Sequence, residues 1–385
     1  MKFSSGVVKI DSSRARRLLV LHPSDEGYGS DRVMLALIRA AMSWGYEVRV
    51  LLPNDAPDGW LSGQLAEMEA VSVVRGAMFV ARRRYFRTRG MAGLVVEFVK
   101  ASRFVRSEVV RFGPSVVHVN TCALPIGVLA RGGWRLVWHV HEIPRRRLDV
   151  ASVLGAIAAR SCDVCVAVSE AAGSKLRSVT GRPDRIVVIR NGLPDGDEPK
   201  PWADRQYDIA FVGRVNAWKG YEVYIEAVRK LVRGGKTIGD RVVLAGGVVE
   251  GSDSAARLRS IASAEAEGVL KYLGEVADGN AVIRDTRVLV VPSTAPDPLP
   301  TTVIEGLRAG CAVVGSNIGG IPELLPPRAG VLVAPGDADA VRRASEALLV
   351  DSAAAERLGK DARRHFLSEL SQESFLSKWK VIYAP

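Results

Sequence analysis

Short apolar runs recur along the chain, each followed by a stretch whose apolar residues fall three and four positions apart. The first run is "RRLLVLHPS" (16–24). In the next stretch, "SDRVMLALIRAAMSW" (30–44), Val33, Met34, Leu37, Ile38 and Ala41 line one face of a helix. Gly45 ends that helix, and "YEVRVLLP" (46–53) begins a second strand, so the three pieces read as a βαβ unit. The alternation continues with "LVVEFVKASRFVRSEVVRF" as helix, "SVVHVN" as strand, "PIGVLAR" as a short helix, "RLVWHVHE" as strand, "VASVLGAIAARS" as helix and "DVCVAVS" as strand. Strands that alternate with helices predict a parallel sheet covered on both faces.

At "NGLPDGDEPKPWADRQ" (191–206) prolines, glycines and charges replace the periodic pattern for longer than an ordinary loop. The pattern then restarts through "YDIAFVGR", "GYEVYIEAVRKLVRG", "RVVLAGG", "SAARLRSIASAEAEG", "VLKYLGE", "VLVVPS", "VIEGLRAG", "AVVGS" and "AGVLVAP". The expectation is an α/β protein of two doubly wound, Rossmann-like domains facing a cleft. The first covers residues 1–191, a linker 192–206 and the second 207–370, with a C-terminal helix at 371–385 that packs back on the first domain. A chain of 385 residues is too long for one ordinary core, which fits that division. In such sheets ligands bind beyond the carboxyl ends of the strands.

Composition narrows the class. Hydrophobic residues make up 48% and charged residues 25%, the balance of a globular chain. No apolar run approaches the roughly 20 residues that span a bilayer, and the start carries too many arginines for a secretory signal, so the cytoplasm is the expected compartment. Cys162 and Cys165 form a C-x-x-C inside "SCDVCVAVSE", a run that reads as buried strand, where positions i and i+3 face opposite sides, which disfavours a metal or redox role. The net charge of +11 lies in the first half: residues 1–200 hold 30 Lys/Arg against 19 Asp/Glu, while 201–385 hold 23 of each.

The candidate chemistry collects at strand ends. Gly213, Arg214 and Lys219 in "AFVGRVNAWKG" fall between a strand and a helix, where two cations and a helix start can neutralise a diphosphate; solvated loop charges would give the same spacing. Gly27 and Gly29 in "EGYGSDRV" form a lone G-x-G, without the third glycine or the acidic strand end of a dinucleotide fingerprint; a tight turn and a close approach to phosphate or sugar both fit. In "DPLPTTVIEGLRAGCAVVGSNIGGIPELL" (297–325), Asp297 follows a strand and Thr301 or Thr302 starts a helix, with Glu305 one turn in. A carboxylate at that depth can accept two hydroxyl hydrogen bonds, as a ribose diol offers, while the amides of the helix start face an anion. His139 and His141 share one face of a strand, yet no third ligand stands at metal spacing. His118 packs or hydrogen-bonds within its own strand, and His22 and His365 are given no role.

The spacing D-x7-E, taken with Arg214 and Lys219, resembles the donor site of GT-B glycosyltransferases, specifically glycosyltransferase family 4. The resemblance runs from "LHPSDEGYGSDRV" and "GYEVRVLL" through "VWHVHEI", "CVAVSE", "VIRNGL" and "FVGRVNAWKG" to the stretch beginning at Asp297. It implies a retaining transfer from a nucleoside-diphosphate sugar to a hydroxyl of a glycan or lipid-linked saccharide, as in bacterial cell-surface polysaccharide assembly. No metal and no cofactor beyond the donor is implied. By resemblance Glu305 would bind the ribose hydroxyls, Arg214 and Lys219 the diphosphate, Asp297 and His141 the donor sugar. Gly319 and Gly320 would let backbone approach the cleft floor, with Glu323 near by. The sequence departs from the family where Asp297 stands for the usual glutamate and Pro300 for the usual glycine, which removes one methylene and one amide donor.

Other readings of the same features are a nucleotide-sugar epimerase of the same fold, a non-catalytic sugar-nucleotide-binding relative, and a nucleic-acid binder, for which the sequence lacks a basic-aromatic stacking motif. The charge excess has another use. "ARRRYFRTRG" (81–90) holds Arg82, Arg83, Arg84, Arg87 and Arg89 around Tyr85 and Phe86 without an acid, and "PRRRLDV" follows at 144–150. Family acceptors are often lipid-linked, so the expected further partner is an anionic membrane surface, on which the enzyme docks peripherally.

Overall fold

The computed structural model describes residues 16–27, 29–56, 59–81, 91–143, 150–196, 198–234, 241–248, 251 and 253–384. Arg82, Arg83, Arg84, Arg87 and Arg89, expected from the sequence to meet a membrane surface, and the second basic run up to Asp149 lie outside them. The chain divides into two compact units, 1–191 with 375–385, and 192–374.

The first unit is built on seven parallel strands: β1 (Arg17–Leu21), β2 (Glu47–Pro53), β3 (Val71–Gly76), β4 (Val116–Asn120), β5 (Arg135–Val140), β6 (Val164–Ala167) and β7 (Ile186–Val188). Their order is β3-β2-β1-β4-β5-β6-β7, so the direction of winding reverses between β1 and β4. Successive residues of one strand enter different cores: Leu19 and Leu21 pack on one face of the sheet with Val117, Val119 and Trp138, while Leu18 and Val20 pack on the other with Val48, Val116 and Val137. This double burial is why the strands read as continuous apolar runs rather than alternating ones.

Strand β3 and the helix Trp60–Ala66 were not read from the sequence. Cys165 lies in β6 as expected, but Cys162 lies in the turn before it, because the preceding helix runs on to Ser161. All four cysteines are buried free thiols.

The helix Gln372–Tyr383 closes the first unit. Trp379 is fully buried and stacks on the His118 ring at 5.1 Å. Tyr46 donates its hydroxyl to the Tyr383 carbonyl at 2.7 Å, and the Tyr383 hydroxyl shares a 2.7 Å hydrogen bond with His118 Nδ1.

The second unit has six parallel strands, β8 (Tyr207–Val212), β9 (Val242–Ala245), β10 (Lys271–Gly274), β11 (Thr286–Val291), β12 (Ala312–Ser316) and β13 (Val331–Val333), in the order β10-β9-β8-β11-β12-β13. Its reversal falls between β8 and β11. The stretch 192–206 belongs to this unit rather than hanging between elements. Arg205 is 3% exposed and donates to the carbonyls of Lys200, Thr286 and Ala309, so its charge is held by backbone dipoles.

Truncating Trp379 to alanine should cost about 3 to 5 kcal/mol, because the cavity lies between the C-terminal helix and the sheet. Val381→Ala on the same helix, where the side chain is 71% exposed, should change the urea midpoint little. Equal midpoints for the two variants would mean that the helix does not hold the first unit together.

Candidate functional site at the two reversal points

In the first unit, alternation along parallel strands sets His22 beyond Val20, Asn120 beyond His118, and His141 beyond His139, all on one face. The helix Gly29–Ser43 begins over the same edge and supplies Asp31, which is fully buried. Asp31 Oδ1 lies 2.7 Å from His22 Nε2 and accepts from Ser24 Oγ at 2.6 Å and Ser30 Oγ at 3.3 Å. Its Oδ2 accepts the amides of Glu26 and Gly27, both at 2.8 Å. Burial alone would raise this carboxyl, but hydrogen bonds from His22, Ser24 and Glu26 hold it below the ordinary carboxylate range. Gly27 completes the turn at φ +78°, and a side chain there would meet the Trp60 ring at 3.0 Å. Gly29 is the first residue of the helix.

Beyond His22 the contacts continue. His22 Nδ1 is 2.9 Å from Asn120 Nδ2, and Asn120 Oδ1 is 2.8 Å from His141 Nε2. Glu142 holds the His141 backbone, accepting the amides of His141 at 3.0 Å and Cys122 at 3.3 Å. Burial pushes the Glu142 carboxyl up against these donors. Between Asn120 and Cys122 the chain turns through Thr121 at φ +72°, a left-handed conformation that a β-branched residue adopts only under tertiary constraint.

His118, His139 and His141 are all neutral groups at ordinary pH. Burial, assisted by the neighbouring imidazoles, lowers His118 and His141 to about 3 and holds His139 well below its ordinary value. The His139 and His141 rings lie 4.1 Å apart, and neither ring nitrogen of His139 has a hydrogen-bond partner among the described residues. Among the described residues, no three His, Cys, Asp or Glu side chains are grouped as a metal site.

In the second unit the reversal point gathers the other residues singled out in the sequence. Gly213 (φ +150°) follows β8, and its amide bonds the Ala245 carbonyl. Arg214 is exposed beside it. Asn216 caps the next turn, accepting the Lys219 amide at 2.9 Å, while Thr294 beyond β11 donates to the carbonyls of Trp218 and Ala217.

Across the same edge Lys219 Nζ reaches Asp297 Oδ2 at 2.6 Å, with side chains 17% and 8% exposed. Gly319 (φ +62°) packs against the Asp297 backbone so tightly that a Cβ would lie 2.4 Å from its carbonyl oxygen, and the Gly320 amide donates to that oxygen at 2.8 Å. The double glycine therefore holds the Asp297 loop. Pro300 precedes the helix Thr301–Arg308, on which Thr301, Thr302 and Glu305 are half-buried.

Sequence reading brought out Lys219, Asp297 and the two glycines, and the structure joins them. It missed His22, Asp31 and Asn120. The signal for His22 and Asn120 was parity, shared with His141: a polar residue two positions beyond a buried one at the ends of three adjacent strands.

The family model "Glycosyl transferases group 1" matches residues 195–365, and "Glycosyltransferase Family 4" matches residues 28–195. Among solved structures, a glycosyltransferase from Rickettsia africae ESF-5 is similar with a TM-score of 0.77 at 18% identity, covering 96% of this chain and 97% of that one. Anabaena Alr3699/HepE in complex with UDP gives 0.75 at 19% identity, covering 95% and 99%. Both similarities are of fold. A glycogen synthase of Mycobacterium tuberculosis (strain ATCC 25618 / H37Rv) is 28% identical over 211 residues, which are 51% of this chain and 48% of that protein. The chain thus matches about half the length of that curated relative.

The buried imidazoles make stability depend on pH. Unfolded, His118 and His141 bind protons near pH 6.5; folded, they do so only near pH 3. The unfolded state therefore gains protons first as pH falls, and stability should drop between about pH 6.5 and pH 3 while these groups leave it flat above. Asp31 acts in the same sense at the acid end, since its depressed folded value loses stability on protonation. Urea midpoints from pH 8 to pH 4 should show the fall, and His141→Gln should make it shallower. A wild-type midpoint that rises on acidification would contradict the assignment.

Proposed function

The chain is a GT-B glycosyltransferase resembling glycosyltransferase family 4, and on that premise we propose that it is a retaining enzyme. It moves a hexose-type sugar from a nucleoside diphosphate to a hydroxyl of a glycan or lipid-linked saccharide, in cell-surface polysaccharide assembly. The observation that carries this reading is the Lys219–Asp297 pair at the reversal point of the second sheet, braced by Gly319 and Gly320. A cation and a carboxylate held side by side at that edge suit the two ends of a sugar diphosphate. Similar folds support the choice of donor: Alr3699/HepE has been crystallised with UDP and with UDP-glucose.

In this proposal Lys219 exchanges Asp297 for the diphosphate, with Arg214 and the first amides of the helix Thr301–Arg308 sharing the charge. Asp297, released, accepts hydroxyl hydrogens of the donor sugar, and Glu305 accepts those of the ribose. His141 of the first unit serves the sugar. The acceptor oxygen forms its bond to the anomeric carbon on the face from which the bond to the diphosphate oxygen breaks, and a diphosphate oxygen takes the hydroxyl proton. Because cationic side chains and amides meet the leaving charge, no metal ion is assigned to the step.

The acceptor side of the proposal rests on the helix Met91–Phe112, which directly follows the arginine stretch. Val95, Val96 and Val99 on it are 57%, 51% and 43% exposed, apolar surface that water covers at a cost. Exposed valines beside a basic stretch suit an anionic membrane surface, where each arginine contributes on the order of 1 kcal/mol. No helix among the described residues is long and apolar enough to cross a membrane.

Lys219→Ala and Glu305→Ala should each lower transfer about 100- to 1000-fold, roughly 3 to 4 kcal/mol of transition-state stabilisation. Circular dichroism of both variants should stay native. In thermal-shift assays nucleoside diphosphates at 100 times their Kd should stabilise the wild type by about 2.7 kcal/mol and Lys219→Ala less. Transfer should persist in EDTA. Near wild-type turnover of either variant at limiting donor would displace the donor site, and loss in EDTA restored by magnesium or manganese would overturn the metal-free step.

Co-sedimentation with anionic vesicles should be strong at low salt and weak at high salt. Changing Arg82, Arg83, Arg84, Arg87 and Arg89 to serine, or Val95 and Val99 to aspartate, should reduce it. Binding that ignores both salt and substitution would reject membrane docking.

A further inference from the structure

The first unit carries a polar chain of which the proposed donor binding uses only the last member: Asp31, His22, Asn120 and His141, linked at 2.7, 2.9 and 2.8 Å across the point where its sheet reverses. Each link has a donor and an acceptor, and one end is fixed by chemistry. An ionised carboxylate only accepts, so His22 Nε2 carries a hydrogen and donates it to Asp31 Oδ1.

Asp31 needs no cation opposite, since two amides and two hydroxyls already donate to it. A buried imidazolium would add a second desolvated charge. His22 is then neutral, its Nδ1 is a lone pair, and the Asn120 amide nitrogen donates to it. That orientation turns Asn120 Oδ1 toward His141, so His141 Nε2 must donate.

We infer that Asp31, His22 and Asn120 form a positioning relay that fixes His141 as the Nε2–H tautomer, with Nδ1 kept as a hydrogen-bond acceptor. The chain runs from an anchored carboxylate through alternating donors and acceptors, so reversing any member leaves two donors or two lone pairs facing each other. Glu142, on the His141 amide, fixes the backbone from which the ring projects. An imidazole held this way accepts a hydrogen from a hydroxyl and donates none to it through Nδ1. Its ligand is therefore a neutral hydroxyl of a sugar rather than a phosphate oxygen. The link to a sugar rests on the proposed glycosyl transfer; the tautomer does not.

The test reads the tautomer directly. In protein labelled with 15N-histidine at pH 7.5, long-range 1H–15N correlations should give His141 a protonated Nε2 and an unprotonated Nδ1, the signals being assigned by their loss in His141→Gln. His22 should be neutral, with its proton on Nε2.

Asn120→Ala should let His141 populate both tautomers and lower kcat at least 10-fold, with donor KM changed less than two-fold. Asn120→Asp, which still accepts from Nε2, should keep the His141 tautomer. A wild-type His141 protonated on Nδ1, or a His22 protonated on both nitrogens, would overturn the relay without any variant having to fold. If the tautomer is as inferred but His141→Gln retains full transfer, the relay stands and the sugar contact proposed for His141 falls.

Discussion

Everything that could act in this protein depends on two strand pairings, β1 with β4 and β8 with β11. In a parallel sheet covered on both faces, side chains within the strands meet mostly apolar neighbours, and polar groups need either a built-in partner, as His118 has in Tyr383, or a place near the carboxyl edge. Where the winding reverses, the connections leave in opposite directions and the edge stays open. The register Val20 to His118 brings the residues beyond them, His22 and Asn120, within 2.9 Å. The register Val288 to Ile209 and Leu289 to Ala210 does the equivalent work in the second unit, where the chain after β11 returns to meet the loop after β8.

The two edges solve the problem of buried charge differently. In the first unit one anion, Asp31, is satisfied locally by backbone amides and hydroxyls, and His118 and His141 remain uncharged because burial disfavours their cations. Such a network is costly to leave half satisfied, and His139, whose two ring nitrogens have no partner among the described residues, is held by ring packing instead. In the second unit the charges are opposite and adjacent. Lys219 and Asp297 satisfy each other at 2.6 Å, so each is available only when something else satisfies its partner.

Glycine geometry joins the second arrangement to its sequence. Gly319 could not carry a side chain without displacing the Asp297 carbonyl, and Gly220, at φ +77°, would place one 1.8 Å from the Pro292 carbonyl. The loops that carry Lys219 and Asp297 are thus each pinned by a close backbone approach. Between them Lys219 Nζ and Asp297 Oδ2 lie 2.6 Å apart.

By itself the sequence determined the alternation of strands and helices, the restart near residue 207, the loops bearing Arg214, Lys219, Asp297 and Gly319-Gly320, and the helix bearing Glu305. These are local signals, since periodicity, glycines and strand ends are written in neighbouring positions. Trp379 on His118, Asp31 on His22 and Asn120 between two imidazoles were decided by tertiary structure alone. Their partners lie 9 to 265 residues apart in the pairs His22–Asp31 and His118–Tyr383, and the strand order that unites them is not a local property. Cys162 was misplaced for a related reason: an apolar run does not reveal where a helix stops and a strand starts. Physically, the chain's pattern states which residues must be buried. Only the pairing of β1 with β4 states which buried polar groups will face each other, and therefore which hydrogen each one must hold.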